Sequence, residues 1–171
     1  MAYYPDGVVD VCIIVVSLFK NPLREKAVEL LSDILLQRRR AAIPLAAILG
    51  AYHIVTRYLR IPAQAVKTSL VKMLETRSPA FYPHVLLDDV INAIAYAIQY
   101  GVESWDGYII KLAKTIGNGV VYTFDEEFER VRGLKAVNPF PRDLVKRYHE
   151  YIRSVLRKSG ERLNPKSLEK E

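Results

Sequence analysis

Three aspartates at the ends of short apolar segments constrain this chain more than its composition does. The stretch Ser104–Phe128, SWDGYIIKLAKTIGNGVVYTFDEEF, reads as a helix, a tight turn, a strand and the start of a second helix. Asp106 sits at the beginning of that helix and Asp125 just past the strand, while Asp10 follows the first apolar strand, GVVD. In an open parallel sheet the carboxyl ends of the strands gather at one edge, where ligands bind. Carboxylates converging there repel one another unless a cation lies between them. The pattern predicts a divalent-metal site built from Asp10, Asp106 and Asp125.

A chain of 171 residues is most economically one domain with a real core. With 50% hydrophobic and 26% charged residues it falls in the globular class rather than the disordered one. Cys12 is the single cysteine, which excludes an internal disulfide framework and predicts a reducing, cytoplasmic setting. The opening MAYYPDG lacks the basic and apolar regions of a signal peptide, and the apolar run Val11–Phe19 is too short to span a bilayer. No membrane association is expected. The formal charge of +6 favours polyanionic partners. Arg38–Arg40, Arg57, Arg60, Lys67, Lys72 and the C-terminal segment carry it, and taken alone they read as solvated helix faces. Around an acidic site they would suit a nucleic acid.

Strands are predicted at Val8–Val9, Ala41–Pro44, Val120–Thr123 and Lys135–Val137, with Phe81–Leu87 extended or irregular. A short helix follows Asp10. Longer helices are predicted over residues 22–39, 45–60 and 62–75, with Pro22 and Pro62 in first turns. Asp88 or Asp89 caps a helix that ends at Gly101, and Ser104 caps one that ends at Gly117. Residues 126–131 form a short helix. The alternation gives an α/β fold, a short-stranded parallel sheet flanked by helices. Residues 1–140 form this domain. Residues 141–158 form a basic amphipathic helix with a Leu144, Tyr148, Ile152 and Val155 stripe, and residues 159–171 a charged tail.

With these motifs placed, residues 7–140 resemble the PIN-domain family, the fold of many prokaryotic toxin ribonucleases. The family's first acid falls on Asp10 in VVDVCIIVV, its third on Asp106 in SWDGYIIKLAKTIG and its fourth on Asp125 in VVYTFDEEF. Two departures stand out. Val11 and Cys12 replace the Thr-Asn or Thr-Ser usual after the first Asp. The family's second acid, a Glu, falls on Gly50 in IPLAAILGAYHIV, and no acid lies between Asp33 and Glu75. The resemblance implies hydrolysis of RNA phosphodiester bonds with Mg²⁺ or Mn²⁺, at a metal site weakened by the missing acid. It implies Asp10 and Asp106 as direct ligands, and Asp125 as a ligand through water or the group that orients the attacking water. It further implies RNA as substrate and an antitoxin protein as partner, while a homodimer is the expectation if the apolar stripe of the last helix docks on a second subunit rather than on the body.

Hard divalent cations take oxygen ligands, and a bound ion polarises a phosphoryl oxygen and activates water. No histidine base is needed: His53, His84 and His149 match nothing in the motif. Glu103, Glu126 and Glu127 are potential substitutes for the missing acid, with Glu103 favoured because it lies three residues before Asp106. Each acid also has a plainer reading. Asp10 and Asp125 suit helix caps, and Asp106 suits the positive end of a helix dipole. Gly50 suits close helix packing. Trp105 suits a core, or a base-stacking platform. The basic residues of the last helix, Arg147, Arg153, Arg157 and Lys158, suit solvent or an RNA backbone, with docking of the apolar stripe favoured. The alternative function is a catalytically inactive PIN-like module that binds RNA or protein. A phosphoacceptor receiver domain fits poorly, since it needs paired acids after the first strand and a Lys after the last.

Overall fold

The structure is a computed structural model and describes residues 5–158, so the expected charged tail lies outside the described residues. Its core is the apolar run that opens the chain. Strand β1 (Val8–Val9) and helix α1 (Val11–Ser17) are buried from Val8 to Val16. A helix apolar all round belongs inside a fold, and so does a strand with neighbours on both sides.

Strand β1 is central. It pairs in parallel with β4 (Val120–Tyr122), which pairs with β5 (Lys135–Val137). On its other side a bridge from Val8 to Ala42 leads to β2 (Ile43–Pro44), itself paired with β3 (Phe81–Tyr82). The Val9 N–H donates to the Ala42 carbonyl at 2.9 Å and the Ala42 N–H to Gly7 at 2.9 Å. The result is a parallel sheet in the order β3-β2-β1-β4-β5. The α/β class, the short parallel strands and the excess of helix agree with the sequence. Strand β3 falls where only extended or irregular chain was expected.

Helices cover the sheet. Helix α2 (Arg24–Leu35) ends earlier than predicted because Gln37 turns left-handed, at φ 61°. Helix α3 (Leu45–His53) continues as a π-helical turn over Ile54–Tyr58 instead of one regular helix, and α4 (Ala63–Glu75) follows. Helix α5 (Leu87–Tyr100) stops at Gly101, whose φ of 66° is the left-handed geometry predicted for it. Helix α6 (Ser104–Thr115) is capped by Glu103, one residue before the expected Ser104. Helices α5 and α6 approach so closely that a Cβ on Gly107 would collide with the Ala93 carbonyl. A buried Lys111–Asp89 ion pair of 3.0 Å crosses the same contact.

Helix α7 (Arg142–Lys158) lies against the body. Tyr148, Ile152 and Leu156 are buried and Leu144 is partly buried, so the stripe ends on Leu156 rather than Val155. Phe124, just beyond β4, packs on Phe140 and edge-on to Tyr148, with ring centroids 5.7 and 5.6 Å apart. Arg147, Arg153 and Arg157 face solvent. Among the described residues no helix is long and apolar enough to cross a membrane.

Candidate metal centre

Three local structures carry the aspartates. Asp10 ends β1 and caps α1, accepting from the Val11 N–H at 2.6 Å through Oδ1. Its Oδ2 accepts from the Thr123 hydroxyl at 2.7 Å, and the Cys12 thiol lies 3.4 Å from the same hydroxyl. Asp125 caps the 3-10 helix Glu126–Arg130, accepting from the Glu127 N–H at 2.8 Å. Its own N–H donates to Thr123 Oγ1 at 3.0 Å. Asp106 lies in the first turn of α6, three residues after the cap. A residue there reaches back to the capping amide, and the Glu103 N–H does stabilise its carboxylate. The capping readings of Asp10 and Asp125 therefore hold alongside the site they build.

Asp10, Asp106 and Asp125 are all buried. Burial raises Asp106 to about 9, with the charges of Asp10, Asp125 and Glu127 adding to it. Burial also raises Asp125 to about 7, against the Glu127 amide, with Asp10 and Glu127 pushing further up. Burial raises Asp10 as well, against its hydrogen bonds. Each carboxylate resists ionisation in the company of the others.

The structure adds a fourth acid. One oxygen each from Asp106, Asp125 and Glu127 lie within 4.8 Å of one another, a grouping able to hold a metal ion. Glu127 Oε1 pairs with Arg130 at 3.1 Å, while its Oε2 is buried with no hydrogen-bond partner among the described residues. Asp106 Oδ2 is orphaned in the same way. Leaving one such atom unsatisfied costs about 1–3 kcal/mol. Hard oxygen donors that converge and resist ionisation in one another's company fit a divalent cation such as Mg²⁺ or Mn²⁺, whose charge would take the place of protons. Glu103, favoured from sequence, is exposed on the cap of α6, and Glu126 is exposed too. The signal for Glu127 was present in Asp-x-Glu. A capping Asp takes the amide two residues on, which folds that residue back toward the cap.

Gly50 stands beside this centre. A Cβ there would lie 3.3 Å from Val11 Cγ2 and 4.0 Å from Trp105 Cε3, the residues adjoining Asp10 and Asp106. In place of a carboxylate, the corner is an apolar groove of about 190 Å³ between α3, α5 and α6, walled by a half-exposed Trp105.

A parallel α/β sheet with clustered acids at the carboxyl ends of β1 and β4 is a nuclease-type fold, with an acid cluster able to hold a metal ion. The family model described as PIN domain matches residues 7–134, and the chain belongs to that family. A comparison with curated protein sequences found no match.

Proposed function

We propose that the protein is a metal-dependent ribonuclease in which Glu127 supplies the carboxylate that Gly50 does not. The observation that carries this reading is the pair of orphaned buried oxygens, Asp106 Oδ2 and Glu127 Oε2, within one acid cluster. Asp106, Asp125 and Glu127 would hold a Mg²⁺ or Mn²⁺ ion, with Asp10 adding negative charge beside them. Held there, such an ion would supply polarisation of a phosphoryl oxygen and activation of a water. The chain's own groups do the positioning. Thr123 ties Asp10 to Asp125 by donating to the first and accepting from the amide of the second. Arg130 holds one Glu127 oxygen and so orients the other. The formal charge of +6 favours a polyanionic substrate. A toxin of a toxin–antitoxin pair acting in the cytoplasm is the biological setting that the family suggests, with an antitoxin as protein partner. Gly50 and its apolar neighbours favour a second reading, an inactive module that binds RNA or protein.

The test pairs two variants with two measurements. Asp106→Asn and Glu127→Gln should each abolish the rise in melting temperature given by millimolar Mn²⁺. The loss of several kcal/mol of charge stabilisation, at tenfold per 1.36 kcal/mol, should cut RNA hydrolysis about a thousandfold or more. A wild type that binds Mn²⁺ at these residues yet leaves single-stranded and structured RNA intact would establish the second reading. A Mn²⁺ response that survives both substitutions would remove the metal centre.

A further inference from the structure

Docking covers the apolar stripe of α7, and the place where it docks bears on the acids. The chain stays extended beyond β4: the Thr123 N–H donates to the Val137 carbonyl at 3.1 Å, and Asp125 has φ −82° and ψ 117°. Successive side chains of an extended segment point to opposite faces. Thr123 and Asp125 accordingly turn toward the acid cluster, both buried, while Phe124 between them turns toward α7. There it meets three rings. Phe140 lies 5.7 Å away, Tyr148 5.6 Å and His149 6.2 Å, centroid to centroid, all tilted or edge-on. These are the separations and angles of favourable aromatic pairs. On the side of α1, the Phe124 amide hydrogen-bonds the Cys12 sulfur.

Three of the four acids are oriented through this segment. The Thr123 hydroxyl holds Asp10 at 2.7 Å and takes the Asp125 amide at 3.0 Å. Asp125 in turn caps the 3-10 turn that brings Glu127 inward. Asp106 is placed separately, by α6. With Gly50 where α3 would offer a carboxylate, the cluster leans on one loop. A Phe124 that left its rings would carry Thr123 and Asp125 with it, and oxygens now within 4.8 Å of one another would spread. On the reading of these acids as a metal centre, we infer that α7 anchors that centre through Phe124, with Phe140 and Tyr148 as positioning residues for Asp125 and Glu127. The anchor is an addition to the family's pattern, since Phe140 and Tyr148 lie beyond residue 134, where the family match ends.

Two measurements on the full chain test this, one of them without metal. In EDTA, hydrogen exchange of the Asp125 and Glu127 amides should quicken about tenfold relative to the amides of α6 in Tyr148→Ala, a local opening rather than a global one. Phe140→Leu keeps the bulk, loses one ring and should show the same selective opening to a smaller degree, so the outcome does not hang on whether Tyr148→Ala folds. Mn²⁺ titrations followed by electron paramagnetic resonance should give affinities about tenfold or more weaker in Tyr148→Ala and Phe124→Ala, the usual cost of losing a group that orients a metal's ligands. Tyr148→Phe, which keeps the ring, should match wild type in both measurements. Leu156→Ala removes an equally buried side chain of the same stripe, about 12 Å further along α7. It should lower the melting temperature and leave the loop amides and the Mn²⁺ affinity unchanged. Loop amides that keep pace with those of α6 in both Tyr148→Ala and Phe140→Leu, or a Mn²⁺ affinity that Phe124→Ala leaves at the wild-type value, overturn the inference. Wild-type Mn²⁺ binding indifferent to Asp106→Asn and Glu127→Gln overturns the metal reading instead, and the exchange in EDTA still decides whether α7 holds the loop.

Discussion

Helices α5 and α6 begin alike and end in opposite electrostatic circumstances. Each has an aspartate three residues after its cap, Asp89 in one and Asp106 in the other. Asp89 takes the Leu86 N–H at 3.0 Å, and Asp106 is stabilised by the Glu103 N–H. Both are buried. Asp89 has Lys111 at 3.0 Å, and its carboxyl is lowered, first by the Leu86 amide and further by that lysine. Asp106 has Asp10, Asp125 and Glu127 around it and is pushed up to about 9. One local role is thus compatible with a satisfied acid and with an unsatisfied one. Helix capping explains the position of Asp106 but not its company, and the carboxylates of Asp10, Asp125 and Glu127 around it are what set the site apart from ordinary helix chemistry.

The comparison breaks most sharply by neutralising each aspartate in turn. Asp89→Asn leaves Lys111 largely buried without its partner. Removing one member of a buried pair costs up to 3–5 kcal/mol, and the partial exposure of Lys111 reduces this to about 2–3 kcal/mol. Asp106→Asn should cost nothing and gain up to about 1–2 kcal/mol at pH 8 without metal, since it removes a charge that the fold disfavours. Chemical denaturation in EDTA measures both. A destabilised Asp106→Asn would mean that this acid is structural like Asp89.

Most of the frame was legible in the sequence because it rests on local rules. The run Val8–Val16 is apolar apart from Asp10 because its strand is central and its helix is covered on every side. Gly101 announced its left-handed stop, and the three acids were found because strand ends and helix starts share one sheet edge. What was missed depends on the third dimension. Strand β3 is two residues long, and β2 at its side makes it a strand. Gln37 ends α2 through a backbone turn that its residue type does not require. Glu127 lost to Glu103 because helix spacing was counted along α6, whereas the 3-10 turn after Asp125 swings Glu127 inward. The exposure of Leu87, Ile91, Ile94 and Ile98 on α5 is likewise not written in the sequence, where an apolar stripe on a helix ordinarily means burial within its own chain.

A smaller effect separates the two aspartates by pH. The Asp106 carboxyl moves from an ordinary 3.8 to about 9 in the fold, so between those values the folded chain binds more protons than the unfolded one. Stability is then fully present at low pH and is lost as pH rises toward about 9. Asp89, lowered in the fold, acts in the opposite sense: its contribution is present above the ordinary value and lost on acidification. The melting temperature in EDTA should fall from pH 5 to pH 8.5, flatten in Asp106→Asn, and flatten in the wild type with Mn²⁺, which takes the place of the protons. A melting temperature that climbs over this range in EDTA would show that the acids are ionised without strain.

The smallest effect comes from the corner that separates this chain from its family's pattern. In Gly50→Glu the new Cβ meets only Val11 Cγ2 at 3.3 Å, and the groove beyond offers room for the rest of the side chain. Three terms compete. Replacing a helical glycine gains somewhat under 1 kcal/mol. Placing a carboxylate between Val11 and Trp105 costs desolvation, and its charge adds to that of Asp10 and Asp106. These nearly cancel, so the metal-free variant should lie within about 1 kcal/mol of wild type at pH 7. With Mn²⁺ the outcome turns on Glu127. If Glu127 already completes the ligand set, Gly50→Glu should add little to the metal-induced rise in melting temperature in the wild-type background. It should restore much of that rise in the Glu127→Gln background, where one carboxylate is lacking. A large gain in the wild-type background would show instead that the centre is one ligand short and that Glu127 does not fill the place, leaving its buried oxygen to be explained by Arg130 alone.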